Sequence, residues 1–67
     1  MKNFKDGYHT NGLKGSDKRF YRFDTFHKDI EVYDGNGKNL GSLDPVTKKS
    51  YKPGTGIINQ ILKRIIK

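Results

Sequence analysis

Phe20–Tyr33, FYRFDTFHKDIEVY, is the stretch whose reading decides the fold of this chain. Apolar and ionisable residues alternate on both sides of Thr25–Lys28, the pattern of two strands joined by a four-residue turn. With that turn Asp24 lies opposite Asp29, Phe23 opposite Ile30 and Arg22 opposite Glu31. Successive side chains of a strand point to opposite faces, so Tyr21, Phe23, Ile30 and Val32 share one face. Arg22, Asp24, Asp29 and Glu31 share the other, and His27 sits in the turn at its edge.

Outward from this pair, Asp34-Gly35-Asn36-Gly37 carries both DG and NG, the strongest short-range hairpin signals. An Asn36-Gly37 turn sets Val32 opposite Gly41 and Ile30 opposite Leu43, and brings Ser42 beside Glu31. An Asp34-Gly35 turn changes those partners. Asp44-Pro45 ends the third strand, and Thr47–Lys52 returns as a fourth. After Pro53-Gly54-Thr55-Gly56 the apolar period changes from two to 3.6, with Ile57, Ile58, Ile61, Leu62, Ile65 and Ile66 on one stripe. This predicts a C-terminal helix capped by Thr55, although so isoleucine-rich a run also suits a final strand. The stripe is expected to cover the face of Tyr21, Phe23, Ile30 and Val32, because that face needs a second layer.

Residues 1–18 offer only Phe4, Tyr8 and Leu13 as sizeable apolar groups, with Gly7, Gly12 and Gly15 between them. They read as a loosely ordered basic leader, and 19–67 as the single domain. The expected fold class is mainly β (α+β): a small, strongly twisted antiparallel sheet of about four to six short strands with a C-terminal amphipathic helix.

Sixty-seven residues allow one domain, and a chain of this size buries only about 60% of the surface it exposes unfolded. The absence of cysteine excludes disulfides and thiolate metal sites. Hydrophobic and charged residues each make up 31%, so the eight aromatics must seed the core. No apolar run approaches the ~20 residues of a membrane span, and no signal-peptide segment follows Met1. These features suit a soluble monomeric domain, free-standing or the end piece of something longer, without stable membrane insertion. Fourteen Lys/Arg against seven Asp/Glu give a net charge of +7. That balance points to a polyanionic partner: nucleic acid first, an anionic membrane second, an acidic protein third.

The ionisable face also carries chemistry. Asp24, His27 and Glu31, the chain's only glutamate, fall within eight positions. Metal-free cleavage of RNA needs a base to take the 2′-hydroxyl proton, an acid to protonate the leaving oxygen, and cations to hold the phosphate. Imidazole is the group in this segment that ordinarily titrates near neutrality. Glu31 is the ionised acceptor, and Asp24 orients His27. Arg19, Arg22, Lys28 and Lys52 are candidates to clamp the phosphate. The bland alternative is that any charged hairpin shows such spacings, with Asp24 starting a turn, His27 solvated and Glu31 paired with Arg22. No strong metal-ligand motif is present, and neither a metal nor another cofactor is expected. His9 is read as incidental, and the tyrosines as core or rim residues.

Phe20–Tyr33 followed by Gly37–Thr47, GKNLGSLDPVT, resembles the C-terminal cytotoxic domain of the ribosome-inactivating colicins, a module shared by related bacteriocins and contact-dependent growth-inhibition toxins. The residues that carry the resemblance are Tyr21, Asp24, His27, Glu31 and Leu40-Gly41-Ser42-Leu43-Asp44-Pro45-Val46-Thr47. It implies an RNase that cuts small-subunit (16S) ribosomal RNA in the decoding centre, delivered into the cytoplasm of a target bacterium. It also implies a twisted antiparallel sheet, no metal, and an acidic immunity protein as inhibitor. On it Glu31 is the general base, His27 the acid or electrostatic stabiliser, and Asp24 its partner, while Arg19 or Lys18 falls where the family has a basic run, just before the first strand, expected to touch RNA backbone. The family's late arginine, which follows a Pro-rich turn, has no counterpart in Gly54–Asn59, and Lys52 or Arg64 is the neighbouring substitute. The reading opposed to catalysis is a basic RNA- or ribosome-binding module without activity.

Overall fold

The computed structural model describes residues 2–66; Met1, and Lys67 at the end of the expected helical run, lie outside them. Six strands form one antiparallel sheet in sequence order: β1 (Lys2–Asn3), β2 (Tyr8–Thr10), β3 (Arg19–Asp24), β4 (Asp29–Asp34), β5 (Asn39–Leu43) and β6 (Ser50–Pro53). One helix, α1 (Gln60–Ile66), follows. The architecture is the small, mainly β (α+β) fold expected from the sequence.

The β3–β4 register agrees with the sequence pattern, pairing Arg22 with Glu31, Phe23 with Ile30 and Asp24 with Asp29. Glu31 pairs with Ser42, Val32 with Gly41 and Ile30 with Leu43. The turn that sets this second register is not a two-residue Asn36-Gly37 turn. Gly37 N–H donates to Asp34 O and Asp34 N–H to Lys38 O, enclosing a three-residue loop with Gly37 at φ 85°. Leu40 is then left unpaired between Asn39 and Gly41. This bulge restores the register, because one residue added in the loop is matched by one in the strand.

The first eighteen residues depart from the expected loose leader. Asp6 (φ 52°) and Gly7 (φ 82°) are the central residues of a tight turn closed by Tyr8 N–H on Lys5 O. Asp-Gly at such a turn is itself a hairpin signal, and here the glycine serves geometry rather than looseness. The hairpin sets Tyr8 opposite Arg22 on β3 and buries its ring to 2% exposure.

The helix also sits on the face opposite to the expected one. Leu62, fully buried, packs with Tyr8, Phe20 and Tyr33, and Phe4, Ile65 and Ile66 pack around them. Phe20 and Tyr33 are cross-strand partners on the same face as Arg22 and Glu31. That face is therefore divided: α1 covers its aromatic end, while the Asp24–Asp29 end stays uncovered. Burying each of these large side chains contributes about 1.5–3 kcal/mol. On the other face Ile30 is fully buried, its cross-strand partners being Phe23 and Leu43. Phe23, 46% exposed, is flanked by His9 with ring centroids 5.2 Å apart. His9 thus lies in the sheet, on β2.

The helix begins at Gln60, later than the Ile57–Ile66 stripe suggests. Its cap is Asn59 rather than Thr55: Asn59 Oδ1 accepts from Ile61 and Leu62 N–H at 3.0 and 3.1 Å. Ile57 and Ile58 instead extend along β5, where Asn39 N–H donates to Ile57 O and Ile58 bridges Lys38. Of the six-residue stripe, only Leu62 is fully enclosed.

Candidate functional site

At the uncovered end of the helix-bearing face lies a cleft of about 330 Å³, walled by Asp24, His27, Asp29, Glu31, Ser42 and Lys52. The three residues singled out by spacing thus share one cavity. Strand alternation brings Asp24, Asp29 and Glu31 to it from β3 and β4, and cross-strand pairing adds Ser42 and Lys52 from β5 and β6.

Asp24 organises the turn and the imidazole together. Its Oδ1 accepts from the N–H groups of Phe26 (3.0 Å) and His27 (3.1 Å), and its Oδ2 lies 2.8 Å from His27 Nδ1. The backbone N–H of His27, and then its side chain, hold the Asp24 carboxyl below the usual carboxylate range. The His27 side chain is 62% exposed, so Asp24 rather than packing orients it. With Nδ1–H donated to Asp24, Nε2 is the ring nitrogen left to exchange a proton.

Glu31 is anchored differently. Ser42 Oγ, in a residue 5% exposed, donates to Glu31 Oε2. Among the described residues the ion pairs are His27–Asp24 and Lys52–Asp29, so Glu31 is not spent on Arg22. Lys52 Nζ lies 2.8 Å from Oδ2 of Asp29, a residue only 6% exposed. Asp29 holds the ammonium of Lys52 above its ordinary value.

The other cations expected at the site are placed elsewhere. Arg22 is opposite Glu31 in register. Its guanidinium nevertheless lies over the Tyr8 ring, 5.2 Å from the centroid, and donates to Tyr8 Oη at 3.4 Å. Arg19 donates to the carbonyls of Ser16 and Lys18 at 2.7 and 2.8 Å, at the far end of β3 from Asp24. Lys28, in the turn with φ 55°, lines an adjoining, more apolar groove floored by Phe23, Pro45 and Val46. Arg64 is exposed on α1 and does not line the cleft. Lys52 alone of the five lines it.

Asp29 is the site residue that sequence reasoning passed over. Register already placed it on the ionisable face, but its importance depends on Lys52, 23 residues away. Asn39 is a second: its Oδ1 accepts from Gly41 and Thr55 N–H, both at 3.1 Å, which fastens the segment after β6 against the cleft. Gly41 lets β6 come close, since a Cβ there would stand 2.5 Å from Lys52 O.

A family model described as Cytotoxic matches residues 4–57, which is most of the chain and includes every residue named on the cleft. No curated protein and no solved structure matches.

Proposed function

The chain belongs to the Cytotoxic family and has a toxin's role, and from that premise we propose that it is an endoribonuclease acting on small-subunit ribosomal RNA. The observation that carries this reading is the cleft itself. A carboxylate fixed by Ser42, an imidazole fixed by Asp24 and an ammonium fixed by Asp29 line one cavity in a protein of net charge +7.

In the proposed reaction Glu31 takes the proton of a ribose 2′-hydroxyl, and the freed oxygen attacks the adjacent phosphorus. The bond from phosphorus to the 5′-oxygen breaks, and His27 Nε2–H protonates that oxygen. The products are a 2′,3′-cyclic phosphate and a 5′-hydroxyl. Asp24 keeps the imidazole aimed through the Nδ1 contact. Lys52 holds the phosphate as negative charge gathers on it, the part that the missing late arginine leaves open. Side chains supply base, acid and cation, so the scheme needs no metal.

The decoding centre is the proposed target, reached in the cytoplasm of the recipient bacterium after delivery. An acidic immunity protein is the proposed inhibitor, matched to the chain's positive charge. Arg19, Lys28 and Arg64, away from the cleft, serve in this scheme as RNA-backbone contacts whose contribution falls with salt. The test is primer extension on rRNA from ribosomes incubated with the protein. A single stop near the small subunit's 3′ end is expected, lost in Glu31→Ala and His27→Ala variants that remain folded by circular dichroism. Undiminished cleavage by both variants would overturn the assignment, and salt-dependent binding without any cut would favour a non-catalytic ribosome binder.

A further inference from the structure

Phe26 stands at the tip of the β3–β4 turn, 87% exposed. Single apolar side chains on a surface are ordinary, but this one has a neighbour of consequence. Its ring meets the His27 imidazole edge to face, with centroids 4.9 Å apart and planes at 86°. Nor is its position loose. Asp24 Oδ1 accepts the N–H of Phe26 at 3.0 Å, while Oδ2 of the same carboxylate contacts His27 Nδ1 at 2.8 Å. One aspartate therefore holds the Phe26 backbone and the His27 imidazole in the same turn, beside each other.

A phosphate brought to His27 carries its nucleosides with it, so an RNA base must lie within one nucleotide of the reacting bond. Single-stranded RNA is read largely by splaying such bases onto aromatic side chains. We propose that Phe26 is a stacking residue that takes a nucleobase adjoining the scissile phosphate and thereby helps select the bond presented to the cleft. This rests on the reading of His27 as catalytic. The apolar ring is left uncovered in an otherwise polar turn because its covering partner arrives with the substrate. Lys28, the second residue after it, is exposed and offers a cation to the same strand.

The test uses the intact protein and its Phe26→Ala and Phe26→Trp variants. At 87% exposure the ring adds little to the fold, so thermal midpoints should match. Primer extension first maps the bond. A synthetic RNA of that segment is then made with an abasic residue on either side of it. Removing a stacking aromatic should lower kcat/KM roughly 5- to 150-fold on the intact RNA, and Phe26→Trp should retain activity. On the RNA lacking the stacked base, wild type and Phe26→Ala should become equal. Equal rates on the intact RNA would overturn the proposal. So would a deficit indifferent to both abasic sites, above all one with a shifted pH profile, which would make Phe26 only a positioning residue for His27. Normal cleavage with weakened binding of an acidic inhibitor would assign the ring to a protein partner instead. Should the wild type cut no RNA, the catalytic reading fails by itself. Stacking is then decided by affinity for the same RNAs, a base-dependent loss in Phe26→Ala supporting it and no loss overturning it.

Discussion

Replacing Ser42 by alanine removes one hydroxyl and leaves the strand intact. That hydroxyl is donated to Glu31 Oε2 from a residue 5% exposed, on the strand directly across from Glu31. Glutamate has three rotatable side-chain bonds, and Glu31 has no ion pair to hold it among the described residues. Ser42 is therefore the contact that keeps its carboxylate in one rotamer facing the cleft. A hydrogen bond to a charged group contributes about 1.5–3 kcal/mol. If that preference is what holds the base against the 2′-hydroxyl, its loss lowers the cleavage rate roughly 10- to 150-fold. The same bond supports the fold, so stability should fall by no more than about 1.5–3 kcal/mol, and the urea control shows whether the protein stays folded under assay conditions. The assay is single-turnover cleavage of ribosomal RNA followed by primer extension, with urea unfolding as the control. A Ser42→Ala protein that cuts at the wild-type rate, while Glu31→Ala does not cut, would refute the view that Ser42 positions the base.

Two further outcomes separate parts of the fold. Asn59→Ala should destabilise the protein by about 1–3 kcal/mol, from the helix cap together with the bond that Asn59 Nδ2 donates to Tyr8 Oη at 2.8 Å. Thr55→Ala, which removes only an exposed acceptor for Ile57 N–H, should stay within about 0.5 kcal/mol; equal effects in urea melts would return the cap to Thr55. Asp44→Ala should show a dependence on pH. The N–H groups of Thr47 and Val46 hold the Asp44 carboxyl below its ordinary value of 3.8, so its ionised form stabilises the fold fully above that value. The stability gap between wild type and variant should therefore be constant near neutrality and narrow as the pH falls below 3.8, lost progressively through the depressed folded value. A gap that widened on acidification would contradict the hydrogen-bond geometry of the turn.

Local sequence determined the strands that carry the site. The alternation through Phe20–Tyr33 fixed the β3–β4 register, which follows from the period of two along a strand. Asp24, His27 and Glu31 were legible for the same reason, since all three belong to one hairpin. The glycine-rich loop after it brought Ser42 to Glu31 only together with the bulge at Leu40, which no alternation announces. The pattern left open which face the helix would cover, because periodicity separates faces without saying what packs on them. Tyr8, Phe20 and Tyr33, brought together from three strands, decided that in favour of the ionisable side. Long-range packing likewise paired Lys52 with Asp29, drew Arg22 to Tyr8, and moved the helix cap to Asn59. The chain alone thus placed Asp24, His27 and Glu31 together on one hairpin. Only the tertiary structure decided which cation joins them, because that required β6 to cross the sheet edge beside β5 and set an ammonium against a buried carboxylate.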